Sequence, residues 1–372
     1  MTPAKPSLEM LRALTDENVL RALMADRRLT RAEIAARTGI SKPTISDAVQ
    51  RLAASGLVVD TGERTTGRGR SGSYYALAPG LGTALVASIS PHGVTAETVD
   101  ALGDTVGRAD AALSRNAGEH RAARALAEAA ALLGSSARLA VVSAADPVDR
   151  ATGRLVRLPD APFLVGALDP AAVLAPHVTG TVLVDNDVNW AARAEHRAVG
   201  VDDFVYVHLG EGLGCAVVTD GAVRRGHRGL AGEIAHVHTT GPDGSAMPLT
   251  EVFAALGLRR PDSTAVDVPA LEAALTSDAG ATRTLARAVG GVLGAAVALA
   301  DPALIVLGGE WGRLPAIRAA VDAQLAVGPR PVPVVAATVD SPELTAARER
   351  AVAELRELVV GSARRALPPE GR

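Results

Sequence analysis

"YVHLGEGLGCAVVTDGAVRRGHRGLAGEIAHV", residues 206–237, is the stretch whose reading decides the fold. An apolar run breaks at Gly210, Gly212 and Gly214, resumes through Val218, and meets Asp220-Gly221, a dipeptide suited to a tight two-residue hairpin turn. Two strands joined this way pair antiparallel. Working outward, "ALVASIS" (84–90), "RLAVVSA" (138–144), "TVLVDND" (181–187), "FVYVHLG" (204–210) and "ALIVLGG" (303–309) are further strand-like runs, separated by helical stretches such as residues 119–133 and 281–300. Strands alternating with helices, plus a local hairpin, predict an α/β body with a mixed sheet.

The chain has 372 residues, 48% hydrophobic and 21% charged, enough apolar material for two or three packed domains. Its charge is uneven. The first 75 residues hold 12 Lys and Arg against 8 Asp and Glu, and the remainder holds 26 against 33, a basic front on an acidic body. Cys215 is the sole cysteine, which excludes an internal disulfide framework and a cysteine-rich zinc site. The first 20 residues are amphipathic and charged, unlike a signal peptide. The Ala/Gly-rich "AVGGVLGAAVALA" (288–300) reads as too short and small to span a bilayer, so a cytoplasmic protein with no membrane partner is expected.

The basic front has its own pattern. Apolar residues from Leu8 to Leu23 recur at helical spacing. Thr30 with Glu33 forms a capping box, Gly39 stops the helix it starts, and Ser41 caps the next helix with Pro43 in its first turn. In that helix Ile45, Ala48, Val49 and Leu52 make one apolar stripe. Two short helices around a glycine turn predict a helix-turn-helix. After it, "LVVD" (57–60) and "SYYAL" (73–77) read as strands flanking "TGERTTGRGRSG" (61–72), an arginine-tipped wing. Such a unit reads base edges with small polar side chains at a helix start and neutralises phosphates with guanidinium groups. The residues expected to meet double-stranded operator DNA are Ser41, Lys42, Thr44, Ser46, Gln50, Arg51, Arg64, Arg68 and Arg70.

Three segments of the body, "VDNDVNWAA" (184–192), the opening stretch with its "GHRGLAGEIAHV" end, and "ADPALIVLGGE" (300–310), resemble successive signatures of the ROK family of sugar-responsive repressors and sugar kinases. The resemblance implies a winged helix-turn-helix followed by a two-lobed, actin-like and hexokinase-like (ribonuclease H-like) body with mixed sheets. The expected divisions are 1–78 for the winged helix, 79–195 for the first lobe and 196–372 for the second, with a C-terminal helix at about 342–366 packing back on the first lobe. It also implies a carbohydrate or sugar-phosphate effector between the lobes, contacted by Asn186, Asp187, Glu233, His236 and Glu251, and a homodimer or higher oligomer.

The chain departs from the kinase branch of that family. "ASISPHGVTAETV" (87–99) puts Ser90, Pro91 and His92 where the family's kinases have an Asp-x-Gly-Gly-Thr-like phosphate loop. "GEGLG" (210–214) puts Glu211, a negative charge, where a small hydroxyl residue would face phosphate. The interval from His236 to Glu251 lacks the family's zinc cysteines; His236 and His238, two apart on an expected strand, leave a third ligand unsupplied. "SAADPVDRATG" (143–153) replaces a Gly-rich turn beside the sugar. Asp185 is expected to cap the strand-to-helix turn and Asp187 to meet the ligand. These departures favour a regulator without catalytic residues, cofactor or metal. The alternatives are a regulator whose cleft has lost sugar binding and, further off, an ATP-dependent sugar kinase.

Overall fold

The structure is a computed structural model and describes residues 7–66, 71–114, 117–134, 136–158, 163 and 166–365. The first helix, α1 (Leu8–Asp26), is capped by Ser7, whose hydroxyl accepts from the Met10 N–H. A three-residue strand, β1 (Arg28–Thr30), leads into α2 (Arg31–Thr38), where Thr30 and Glu33 close the capping box in both directions. Gly39 ends α2 in the left-handed region at φ 71, and Ser41 starts α3 (Lys42–Ala54). Ile45, Ala48, Val49 and Leu52 are its buried face. β2 (Val58–Arg64) and β3 (Ser73–Leu77) complete an antiparallel sheet in the order β1-β3-β2. Three residues are too few to show a periodicity, and β1 was not legible in the sequence.

Leu77 and Leu81 pack against the same apolar cluster as the head, so the connection to the body is held down. The first lobe is built on β4 (Ala84–Ser90), β5 (Gly93–Val99), β6 (Thr105–Ala112), α4 (Gly118–Leu132), β7 (Leu139–Ala144), α5 (Pro170–Leu174) and β8 (Val182–Asn186). Its sheet order is β6-β5-β4-β7-β8, with β4, β7 and β8 parallel and the β5–β6 edge antiparallel. A carboxylate at an inward position disguises β5. Glu97 is 2% exposed and receives Arg108 at 3.0 Å and Arg348 at 2.7 Å. Burial of that charge is tolerable because both guanidinium groups pair with it.

α6 (Asp187–Val199) crosses to the second lobe, whose elements are β9 (Phe204–Leu209), β10 (Leu213–Thr219), β11 (Ala222–Val223), β12 (His238–Thr240), β13 (Ala246–Pro248), α7 (Leu249–Ala255), α8 (Val268–Ser277), α9 (Ala279–Ala300), β14 (Leu304–Gly308), α10 (Pro315–Ala326) and β15 (Val334–Ala336). The main sheet runs β11-β10-β9-β14-β15. The hairpin read from the opening stretch is present: Thr219 pairs with Ala222, and Asp220 (φ 53) and Gly221 (φ 68) form a turn with both central residues at positive φ. α9 corrects one expectation, since the helix is 22 residues long and, by length and composition, enough for a membrane span. Here its Leu285, Val289, Val292 and Leu293 lie in the second lobe's core beside α10.

The last helix, α11 (Pro342–Arg365), returns to the first lobe and packs on α6, β4 and β7. Its Leu355, Val359 and Val360 share one buried cluster with Val86 and Val141 of the lobe and Val19, Leu20 and Leu23 of α1. Ion pairs Arg21–Glu357 (2.9 Å) and Glu17–Arg364 (2.6 Å) flank that contact. The helix therefore joins the head to the first lobe.

Candidate functional site

The parallel register brings strand ends together. Ile89 of β4 lies beside Ala144 of β7, and Ala144 beside Asn186 of β8; across the chain, His208 of β9 lies beside Gly308 of β14. Ligand clefts of α/β sheets form at such carboxyl ends. A cavity of about 710 Å³ opens there, walled by both lobes and by the first turn of α11.

Asp187, Glu233 and His236 all line it, as does Asn186. Asn186, however, is first a strut. Its Oδ1 accepts from the Val188 N–H at 2.9 Å, making it the N-cap of α6, and its Nδ2 donates to the carbonyls of Ala144 (3.4 Å) and Asp146 (3.2 Å). Asp185 does not cap the helix as expected. It is 4% exposed and binds the Asn186 N–H and Asn189 Nδ2, both at 2.9 Å, with Arg193 at 2.7 Å and Arg225 at 3.1 Å. Its side chain turns inward because two guanidinium groups wait there, and the cap falls to the next residue.

Asp187 opens α6, and its Oδ1 accepts from the Val188 N–H at 2.8 Å. Burial, and then the carboxylates of Glu343 and Glu233, push its carboxyl up to about 7. Glu233 follows Gly232, whose φ is +98 and where an added Cβ would lie 1.7 Å from the Cys215 carbonyl oxygen. Only glycine permits that approach, and it sets Glu233 into the cleft. Glu233 is open to the cleft's water yet enclosed by its walls, which raises its carboxyl to about 7. Enclosure of this kind disfavours the charged form.

Glu251 does not join this group. α7 buries Leu249, Thr250, Val252 and Phe253, so Glu251 falls on the outer face and pairs with Arg259 at 2.7 Å; Thr250 lines the cavity in its place. His236 and His238 are also separated: His236 lies in a turn, and His238 starts β12 opposite Pro248. Among the described residues no three His, Cys, Asp or Glu side chains are placed to hold a metal ion.

Asp146 is the cleft residue that sequence reasoning missed. It follows β7, is 4% exposed, lines the cavity, and its carboxylate has no hydrogen-bond partner among the described residues. Burial, with Asp187 and Glu233 nearby, pushes it up to about 8. The only available signal was an acid inside "SAADPVD", an apolar turn after a buried strand.

The two loops that depart from the kinase pattern both line the cavity. Ser90 of β4 pairs with Gly93 of β5, so Pro91-His92 is a two-residue turn, and the Ser90 hydroxyl is engaged within it by Gly93 O (3.1 Å) and the His92 N–H (3.3 Å). Glu211 is 9% exposed and pairs with Arg260 at 3.1 Å, which modifies the expectation of a bare repelling charge. Cys215 is a buried thiol, its pKa raised to about 12 by burial.

In the head, Ser41, Lys42, Thr44 and Gln50 are exposed and Ser46 is partly so, a polar face opposite the α3 stripe. Ser41 Oγ lies 2.8 Å from Thr44 Oγ1. Arg51 is corrected: its guanidinium binds Asp16, itself 3% exposed, at 2.6 Å, so it docks α3 on α1 instead of standing free for DNA. Arg64 lies along β2 with Asp60 at 3.0 Å. Arg68 and Arg70 lie outside the described residues. Arg28, which the sequence did not single out, pairs with Glu63 and lies over Tyr74, 5.2 Å from the ring centre.

Comparison with known proteins agrees with the fold. The profile of the ROK family matches residues 96–251, and that of winged helix-turn-helix DNA-binding domains matches residues 12–59. The chain carries a ROK domain behind a winged helix-turn-helix domain. Over 162 residues it is 32% identical to the bifunctional enzyme NanE/NanK of Brucella melitensis, a match covering 41% of this chain and 30% of that protein. Over 68 residues it is 40% identical to a glucokinase of Halalkalibacterium halodurans, covering 18% of this chain and 20% of the glucokinase. The chain thus spans less than a third of these curated relatives. Among solved structures, a ROK family transcriptional regulator, a homolog of the E. coli MLC protein, superposes with a TM-score of 0.61 at 17% identity, covering 94% of this chain and 99% of that one. A ROK family glucokinase from Streptomyces griseus, in complex with glucose and AMPPNP, gives 0.54 at 26% identity over 73% of this chain and 99% of its own. The ROK body and the winged head therefore sit in one chain.

Proposed function

We propose that this ROK protein is a cytoplasmic, homo-oligomeric transcriptional regulator, a repressor, that binds operator DNA through its winged helix and an effector through its interlobe cleft. The observation that carries the reading is α3, whose polar face of Ser41, Lys42, Thr44 and Gln50 is uncovered beside an antiparallel wing. Helix starts of this composition meet base edges, and two-fold protein symmetry calls for paired half-sites. Asp187, Glu233 and His236 would receive the effector, with Asn186 fixing the strand end beneath it. The divisions 1–78, 79–195 and 196–372 describe head, first lobe and second lobe in this reading.

Catalysis is not part of it. Phosphoryl transfer depends on positioning and charge stabilisation around the phosphates. The two-residue Pro91-His92 turn and the Glu211–Arg260 pair occupy the positions where the kinase branch holds phosphate. Communication between cleft and head has a physical route, because α11 places Glu343 on the cavity wall and Glu357 and Arg364 against α1. An effector that binds one lobe arrangement more tightly would shift the head through this helix.

The test is binding of the purified protein to DNA upstream of its own gene, titrated with salt. Sequence-preferring binding that weakens linearly in log salt supports the reading; its absence would overturn it.

A further inference from the structure

The cleft is electrostatically one-sided. Among the described residues six carboxylates line it, those of Asp146, Asp187, Glu211, Glu233, Glu310 and Glu343, against one guanidinium, that of Arg313, and the imidazoles of His92, His208 and His236. Arg260 pairs with Glu211 from outside the wall, and Arg313 is turned toward the Val339 carbonyl and Asp340. His208, also on the wall, is held neutral by burial. Asp146, Asp187 and Glu233 line the same cavity near enough for their charges to repel one another.

Asp146 is the decisive residue. It is 4% exposed, its backbone is fixed by Asn186 Nδ2 at 3.2 Å, and its carboxylate meets the cavity with no donor among the described residues. A buried carboxyl without a hydrogen-bond partner keeps its proton while the cleft is empty, and a ligand cation that reaches it can take that proton's place. A bare metal ion is disfavoured, since no three acidic or histidine side chains among the described residues are placed to hold one. An ammonium group, reaching each oxygen through an N–H bond, spans wider spacings and offers three donors. A phosphate ester would add negative charge to a wall already rich in it. The cavity of about 710 Å³ is ample for a sugar-sized ring.

We infer that the cleft takes an amino sugar with its amine free, the ammonium being received between Asp146, Asp187 and Glu233 and the ring hydroxyls by the remaining polar wall. This rests on the reading of the cleft as the effector site, and it names the ligand class for that site. Neutral parent sugars lack the cation, N-acetylated sugars have lost it, and sugar phosphates carry the wrong sign.

The experiment is calorimetric titration of the full chain near neutral pH with glucosamine, galactosamine and mannosamine. Each is compared with its parent sugar, its N-acetyl form and its 6-phosphate. At least one free-amine sugar is expected to bind about tenfold or more tightly than its parent and its N-acetyl form. Asp146→Asn is expected to reduce that preference to about twofold or less, with the melting transition checked for folding. A parent or N-acetyl sugar that binds as tightly, a preference that survives Asp146→Asn in folded protein, or no binding of any free-amine sugar overturns the inference. The comparison on the unsubstituted protein decides even where the variant fails to fold. DNA binding is measured on the same preparation: intact DNA binding without an amine preference sinks the ligand class alone, and an amine preference without DNA binding sinks the regulator alone.

Discussion

Replacing Asp146 by Asn should stabilise the unliganded protein, and increasingly so as pH rises. Burial raises this carboxyl from 3.8 to about 8, so the native state prefers the proton that the unfolded chain releases near pH 4. Stability from that proton is fully present below the ordinary carboxylate range and is lost as pH rises through the folded value. Between about pH 5 and about pH 8 the window spans about three units at 1.36 kcal/mol each, a ceiling of about 4 kcal/mol. Water entering the cleft and the shared charge of Asp187 and Glu233 reduce this to about 2 kcal/mol. The isosteric amide releases no proton and escapes the loss. With about 2–4 °C per kcal/mol for chains of this order of size, the variant's apparent Tm should gain about 4 °C or more on the wild type between those two pH values. Paired thermal melts by circular dichroism at fixed ionic strength measure it. A difference independent of pH, or a variant that loses ground as pH rises, would refute the assignment of a buried, unpartnered carboxyl.

Arg51→Ala leaves Asp16 buried without its cation, and should destabilise the head by about 3 kcal/mol in melting experiments. Gln50→Ala, on the exposed face, should leave the melt unchanged while weakening operator binding in a mobility-shift assay. Lys42→Ala should weaken binding to all DNA sequences alike and lower the salt slope by about one, measured by fluorescence anisotropy. With Mg-ATP and a panel of sugars, ADP release should not exceed the background given by Asp187→Ala; turnover above that level would restore the kinase reading.

Much of this fold is written in local pattern. The capping box of Thr30 and Glu33, the stripe of Ile45, Ala48, Val49 and Leu52, and the Asp220-Gly221 turn each involve neighbours in sequence, and each forms as read. What escaped notice depends on distant partners. β5 was hidden because Glu97, inward-facing, looks polar until Arg348 arrives from the far end of the chain. Arg51 looked like a DNA contact because nothing nearby announces Asp16, 35 residues earlier, as its partner. Glu251 was placed in the cleft by likeness, yet the phase of a short helix with four buried residues turns it outward. Asp146 had no periodicity to betray it; only the assembled cleft reveals that its carboxylate faces two others.

The return of α11 to the first lobe has a consequence for how the chain is made. The sheet face carrying Val86 and Val141 is covered by Leu355, Val359 and Val360, which follow Val141 by just over two hundred residues. At a synthesis rate of about 5–20 residues per second, that face waits about 10–40 seconds for its cover. During that interval Val19, Leu20 and Leu23 of the head wait for the same cover. The newborn chain thus carries an undocked head on an unfinished first lobe, with apolar surface bare on both until α11 emerges.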